Sequence, residues 1–439
     1  MTAPTAEIRP ATVARLTELR GARGPAVAGF TSRVRELVVV ASSSRGGSSM
    51  LADLLRESDA LVHLRAELNP FLRLVGLGCG ENGAGSDRLG PGDLAALDPG
   101  RRRFLDAELA LDTGAPASTI GDPERFAHDV AWRVIVQWPD IAVSPQTVVP
   151  AVRRVVRRLV GADGRLDDPA GFLVALVAEL RAAGLPVRTS AYDLPATMRE
   201  RRGGGEAPSR RLVEEPPFIL PRAWRTAAEA DLAQKPLVVK TPSNAYRLPF
   251  LRALFPHARI RVLHLTRNPA AAVNGLYDGW RYPAFHSHHV DDPLDIAGYS
   301  ELHPDNRWWW KFDLPPGWET LTRRPLLEVC ASQWRSAHRA ILADLAEGTI
   351  DHLRIRFEDL VAGGEPRMRT MTRLVRWLGI PWEEPLRTTA RLGIRPVSAT
   401  APPRARRWRD RGALVRAALD EETMALAEEL GYSDERDWL

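Results

Sequence analysis

Apolar residues gather in short runs separated by long polar or helical stretches. Residues 37–41 (LVVVA), 61–64 (LVHL), 237–239 (LVV) and 260–265 (IRVLHL) are brief runs of branched residues, and 352–360 (HLRIRFEDL) mixes apolar with charged positions. Runs of this length and composition, bounded by Ser, Gly, Pro or Asn, predict strands. Between them the spacing changes to three and four: Met50, Leu51, Leu54 and Leu55 mark a helix starting near Ser48, and residues 245–254 and 367–378 read the same way. Strands alternating with helices predict an α/β fold, a doubly wound central parallel sheet of about five strands flanked by helices. Residues 94–230 are mostly helical, including 148–162 and 169–184, with one further strand at 186–192 and a loop at 199–211. This divides the chain into a peripheral segment 1–30 and a single domain 31–439, with a helical insertion at about 94–230.

Candidate chemistry collects at the predicted strand ends, where open α/β sheets place their ligands. The first strand runs into SSSRGGSSM and then a helix, an arrangement that offers backbone N–H groups and a helix dipole to an anion. Arg45 supplies charge, Gly46 and Gly47 allow close approach, and Ser48, Ser49 and Met50 open the helix. Glu67, Lys240 and Arg267 follow other strands. A GxGxxG at Gly78, Gly80 and Gly83 is not followed by a helical pattern and fails as a dinucleotide motif.

Charge and composition narrow the partners. The net charge is +5, carried by arginine with only Lys235, Lys240 and Lys311 as lysines, and is balanced by 55 acidic residues. This favours small anionic ligands and not nucleic acid. Cys79 and Cys330 are too few for a disulfide framework. With no signal-like or membrane-length apolar run, the expectation is a cytoplasmic protein without membrane insertion.

Three segments together resemble the sulfotransferases that use 3′-phosphoadenosine 5′-phosphosulfate (PAPS): RGGSSML at 45–51, VVKTPSNAYRLPFLRALFPHARIRVLHLTRNP at 238–269, and RFEDLVAGGEPRMRTMTRLVRWLGI at 356–380. The resemblance implies a P-loop NTPase-like sulfotransferase fold and in-line transfer of a sulfuryl group from PAPS to an acceptor hydroxyl or amine, without a metal. It implies that Arg45, Gly46, Gly47, Ser48, Ser49 and Met50 bind the 5′-phosphosulfate, Arg267 the 3′-phosphate, and Arg404, Arg406, Arg407 and Arg409 a loop over the cofactor. Lys240 would stabilise the leaving group and Glu67 would be the base, with His63 as its competitor. The sequence departs from the family at Gly46, where Ser is common, and at Gly275, where a phosphate-binding Ser is expected; Asn274 or the Gly275 backbone takes that place.

The tryptophans at 308, 309, 310 and 318 mark an acceptor-facing insertion at about 282–320, and HSHHVDD at 286–292 reads as a loop and not as a metal site. The acceptor is expected to be a small-molecule natural product or a carbohydrate. Two alternatives stay open: a non-catalytic nucleotide-binding module of the same fold, and a nucleotide kinase-like P-loop enzyme. The second lacks its G-x-x-x-x-G-K-[ST] signature.

Overall fold

The computed structural model describes residues 5–78, 85–138, 143–187, 221–282, 285–394, 396–397 and 399–438, with Thr189, Leu194 and Met198. Cys79, Gly80 and Gly83, the loop at 199–211 and most of the predicted strand at 186–192 lie outside the described residues.

The strands are β1 (Glu36–Ala41), β2 (Val62–Leu64), β3 (Thr113–Pro116), β4 (Trp224–Thr226), β5 (Leu237–Lys240), β6 (Arg259–Thr266), β7 (Ser287–His289), β8 (Trp309–Lys311) and β9 (Asp351–Arg356). Seven form one sheet in the order β4-β3-β2-β5-β1-β6-β9. β2, β5, β1, β6 and β9 are mutually parallel, which is the five-stranded sheet expected. The sheet is larger than that by two strands, because β3 pairs antiparallel with β2 and β4 with β3. These additions, TGAP and WRT, lack an apolar run. They are strands because the edge of β2 offers unpaired N–H and C=O groups, a tertiary cause that periodicity does not register.

Both faces of the parallel strands are covered, which explains their unbroken apolar runs. Leu37, Val39 and Ala41 of β1 pack with Val62, Leu64 and Val239 against the insertion helices. Val38 and Val40 turn to Val238, Leu263 and Ile355 under helices Ser48–Leu55 and Gly364–Leu378. The insertion helices Pro99–Asp112, Pro123–Gln137, Pro145–Leu159 and Pro169–Ala182 each begin with Pro after a capping Asp or Ser whose side chain accepts a backbone N–H. Arg153 and Arg154 on the third lie on its exposed face, paired with Glu124 and Glu179.

Within the segment expected to be peripheral, some described residues are tied into the fold. Leu16 and Leu19 are buried, and Arg23 is buried between Glu108, at 2.6 Å, and Asp129, at 2.9 Å. A buried guanidinium held by two carboxylates locks this segment to the insertion, since removing either partner would strand a charge. Two boundaries also shift. β9 ends at Arg356 and Phe357–Val361 is a helical turn; Pro242–Tyr246 is a 3-10 turn preceding helix Leu248–Leu254. The histidine-rich segment contributes β7, antiparallel to β8, where a loop was expected.

Candidate active site

The C-terminal ends of β1, β2, β5 and β6 open onto one cavity of about 900 Å³. Its wall includes Arg45, Gly47, Ser48, Ser49, Met50, Glu67, Lys240, Arg267, Asn274, Gly275, Arg404 and Arg407, drawn from six separate stretches of the chain.

The loop after β1 reverses direction through left-handed backbone at Arg45 (φ 61°) and Gly47 (φ 100°). A Cβ at Gly46 would overlap Ser42 Oγ and stand 2.8 Å from the Ser43 carbonyl; one at Gly47 would stand 2.6 Å from Phe357 Cε2. The departure at position 46 is therefore demanded by local packing, and a serine there does not fit this loop. Helix Ser48–Leu55 begins at the loop and turns its N–H groups toward the cavity end.

Arg45 and Arg267 lie side by side. The Arg45 guanidinium sits 4.7 Å from the Phe285 ring centre, and its carbonyl accepts from Arg267 Nη1 at 3.0 Å. Arg267 stacks on Phe357 at 4.4 Å, its Nε is buried without a hydrogen-bond partner, and burial pulls its pKa down. A Cβ at Gly275 would lie 3.6 Å from Arg45 Cβ and 3.8 Å from Arg267 Nη1, ordinary van der Waals contact, so the glycine backbone sits directly against both arginines and a side chain there would be tolerated. Asn274 is buried with its Oδ1 taken by Arg411, which also reaches Asp278 at 3.0 Å. Arg411 lies two residues beyond Arg409, the last of the arginines assigned to a loop over the cofactor.

Across the cavity, Lys240 Nζ pairs with Glu67 Oε1, while Glu67 Oε2 is buried without a partner. Two hydrogen bonds align the segments bearing them: Leu68 N–H donates to Thr241 Oγ1 at 2.9 Å, and Asn69 Nδ2 to Ser243 Oγ at 3.4 Å. Arg247 braces the same turn through Asn69 and Asp87. His63 stays in β2 opposite Val238 and Gly114, away from the cavity wall, and burial followed by the Arg56 charge holds its pKa well below the usual histidine range.

The basic C-terminal segment is only partly turned inward. Arg404 and Arg407 line the cavity, paired with Asp410 and Asp278. Arg406 does not: its guanidinium donates to the Arg436 carbonyl at 2.9 Å, and it is absent from the wall. Arg409 lies over Trp408.

None of the four tryptophans lines the cavity: Trp310 belongs to a core, Trp318 packs partly buried against it, and Trp308 is exposed. Trp309 and Trp310 are buried, and Trp310 packs edge-to-face on Trp280 with ring centres 5.0 Å apart. Residues 282–320 reach the cavity instead through Phe285, His286, Phe312 and Asp313. Asp313 had no signal in the sequence. It accepts from Ser44 Oγ at 2.5 Å and Tyr246 Oη at 2.8 Å, tying the anion loop to this insertion, and burial raises its pKa to about 6. Glu358 falls in the resembling segment at 356–380 but had no role assigned there: its Oε1 accepts from the backbone and side chain of Asn268, the N-cap of helix Pro269–Arg281. Among the described residues no group of His, Cys, Asp and Glu is placed to hold a metal ion, and no helix is long and apolar enough to cross a membrane.

No protein-family model and no curated protein matches this chain. Solved structures do. The sulfotransferase domain of the Synechococcus PCC 7002 olefin synthase is 18% identical with a TM-score of 0.38, the match covering 91% of this chain and 95% of that one. The sulfotransferase domain from the curacin biosynthetic pathway is 14% identical with a TM-score of 0.37, over 91% and 99%. A sulfotransferase of Mycobacterium avium is 14% identical with a TM-score of 0.35, over 97% and 81%. All three are sulfotransferases.

Proposed function

We propose that the protein is a PAPS-dependent sulfotransferase acting on a hydroxyl or amine of a small-molecule acceptor. The observation that carries this reading is the convergence on one cavity of an arginine-bearing anion loop, a second buried arginine beside it, and a Lys240–Glu67 pair. The residues fit such a donor: Gly46 and Gly47 let the anion loop close tightly on Ser42, Ser43 and Phe357, where a Cβ would clash, and Arg267 Nε is a buried donor with no hydrogen-bond partner among the described residues.

The donor supplies the sulfuryl group and its phosphate leaving group. Around it, the N–H groups at the start of helix Ser48–Leu55, with Arg45, hold one phosphate, and Arg267 with the Gly275 backbone holds the other. Arg404 and Arg407 add charge from the C-terminal segment. Lys240 places a compact ammonium where negative charge develops, a role suited to lysine because it acts as a point charge. Glu67 is oriented through Oε1 by Lys240, which leaves Oε2 to take the acceptor proton. His63, buried inside the sheet and off the cavity wall, is not the base in this reading.

Glu67→Ala should lower turnover by about 10²–10⁴-fold. Lys240→Ala should lower it by about 10²–10³-fold. Both should bind 3′-phosphoadenosine 5′-phosphate like the wild type, as measured by radiolabelled sulfuryl transfer alongside calorimetry. Unchanged turnover in both variants would refute the roles and favour the non-catalytic binding module.

A further inference from the structure

Beyond Glu67 the cavity wall continues into Asp53, Arg56 and Arg222, which the reading above leaves without a task. Ser49, Ala52, Asp53 and Arg56 recur at spacings of three, one and three on helix Ser48–Leu55 and its cap, so one helix face lines the cavity from the anion loop to Arg56. Arg56 Nη1 and Arg222 Nη2 reach the same oxygen, Asp53 Oδ1, at 3.5 and 3.1 Å. Two guanidiniums therefore share one carboxylate.

Arg56 is fixed in place. Its side chain is 12% exposed, and Nη2 donates to the Leu64 and Arg65 carbonyls, each at 3.3 Å, at the edge of the chain that leads to Glu67. Its Nε is buried with no hydrogen-bond partner. Burial and then the charge of Arg222 pull its pKa down to about 10, leaving it cationic at neutral pH but under repulsion that a further anion would relieve. Arg222 is 35% exposed and able to meet a solute entering the cavity.

We infer that this arm of the cavity selects an acidic acceptor, an alcohol or amine that also bears a carboxylate or phosphate. The anion adds beside the Asp53 carboxylate that the two guanidiniums share, on the side where Arg222 is exposed, while the nucleophilic group reaches Glu67. This deepens the sulfotransferase reading and rests on it for the role of Glu67. Planar guanidiniums favour such anions over neutral isosteres because charge-assisted hydrogen bonds are the stronger ones.

The test uses three probes on the full chain: 4-hydroxyphenylacetate, 4-hydroxyphenyl phosphate and neutral 4-hydroxyphenylacetamide, titrated calorimetrically with and without 3′-phosphoadenosine 5′-phosphate. At least one anion should bind about tenfold or more tightly than the amide, and which anion does so distinguishes carboxylate from phosphate. Arg222→Glu should erase the preference, whereas Asp53→Asn, which removes the shared carboxylate, should strengthen it several-fold. Equal binding of all three probes, no binding of either anion, or a preference unchanged in both variants would overturn the inference. Failure of the bisphosphate to bind while the anion preference persists would overturn the sulfotransferase reading alone.

Discussion

Residues 42–47 and residues 400–411 both bring arginines to one cavity, and they hold them by different means. In the first, backbone sets the position: two left-handed residues, glycines packed against Ser42, Ser43 and Phe357, and a carbonyl anchored by Arg267. In the second, side chains do it through ion pairs such as Arg407 with Asp278 and Arg404 with Asp410, the latter exposed on both sides. A site made of backbone is intolerant of small steric changes, because its N–H groups move together. A site made of such ion pairs tolerates the loss of one better, since an exposed pair like Arg404–Asp410 contributes about 0–1 kcal/mol and Asp278 keeps Arg411 when Arg407 is lost.

The comparison is broken most severely at Gly46. Gly46→Ser restores the residue common in the resembling family, yet it should weaken 3′-phosphoadenosine 5′-phosphate binding by about tenfold or more, because the added atom meets the Ser43 carbonyl. Wild-type affinity in a calorimetric titration would show that the loop accommodates a side chain and is not fixed by its backbone.

Asp313 gives an intermediate effect with a defined pH window. Its carboxyl is raised from the ordinary value of 3.8 to about 6 by burial. The folded protein thus holds this proton more tightly than the unfolded chain, so its contribution is fully favourable below about 4 and is lost as pH rises through about 6. Asp313→Asn, which cannot ionise, should flatten the fall in stability over that window in denaturant titrations, and should loosen the anion loop by altering the contact to Ser44. An identical pH profile in the variant would remove Asp313 as the link between loop and insertion.

The smallest effect is expected at Arg407→Ala. Affinity for the bisphosphate should fall only a few-fold, and the difference should shrink with added salt, because a partly exposed charge is screened. A loss as large as that of Gly46→Ser would show that the C-terminal segment is as essential as the loop.

The parts of this architecture legible in the sequence are those set by local pattern. The five parallel strands carry apolar runs because both faces are buried, and the anion loop carries its glycines because the backbone demands them. The same logic placed Arg45, Glu67, Lys240 and Arg267 at strand ends. What was not legible depends on distant partners. β3 and β4 exist because β2 has an open edge, Asp313 matters because it meets Ser44 across 269 positions of sequence, and Trp310 is core because Trp280 packs on it. Arg406 shows the same limit from the other side. Its charge resembles that of Arg407, and only the fold turns one to the cavity and the other to the Arg436 carbonyl.

The central claim, a two-phosphate site spanning Arg45 and Arg267 with the Lys240–Glu67 pair across from it, is tested most directly by competitive binding of 3′-phosphoadenosine 5′-phosphate, ADP and NAD to the wild-type protein. The account predicts selective, tight binding of the bisphosphate that weakens when Arg267 is replaced by alanine. Preferential binding of ADP or NAD, with no response to the bisphosphate, would contradict it.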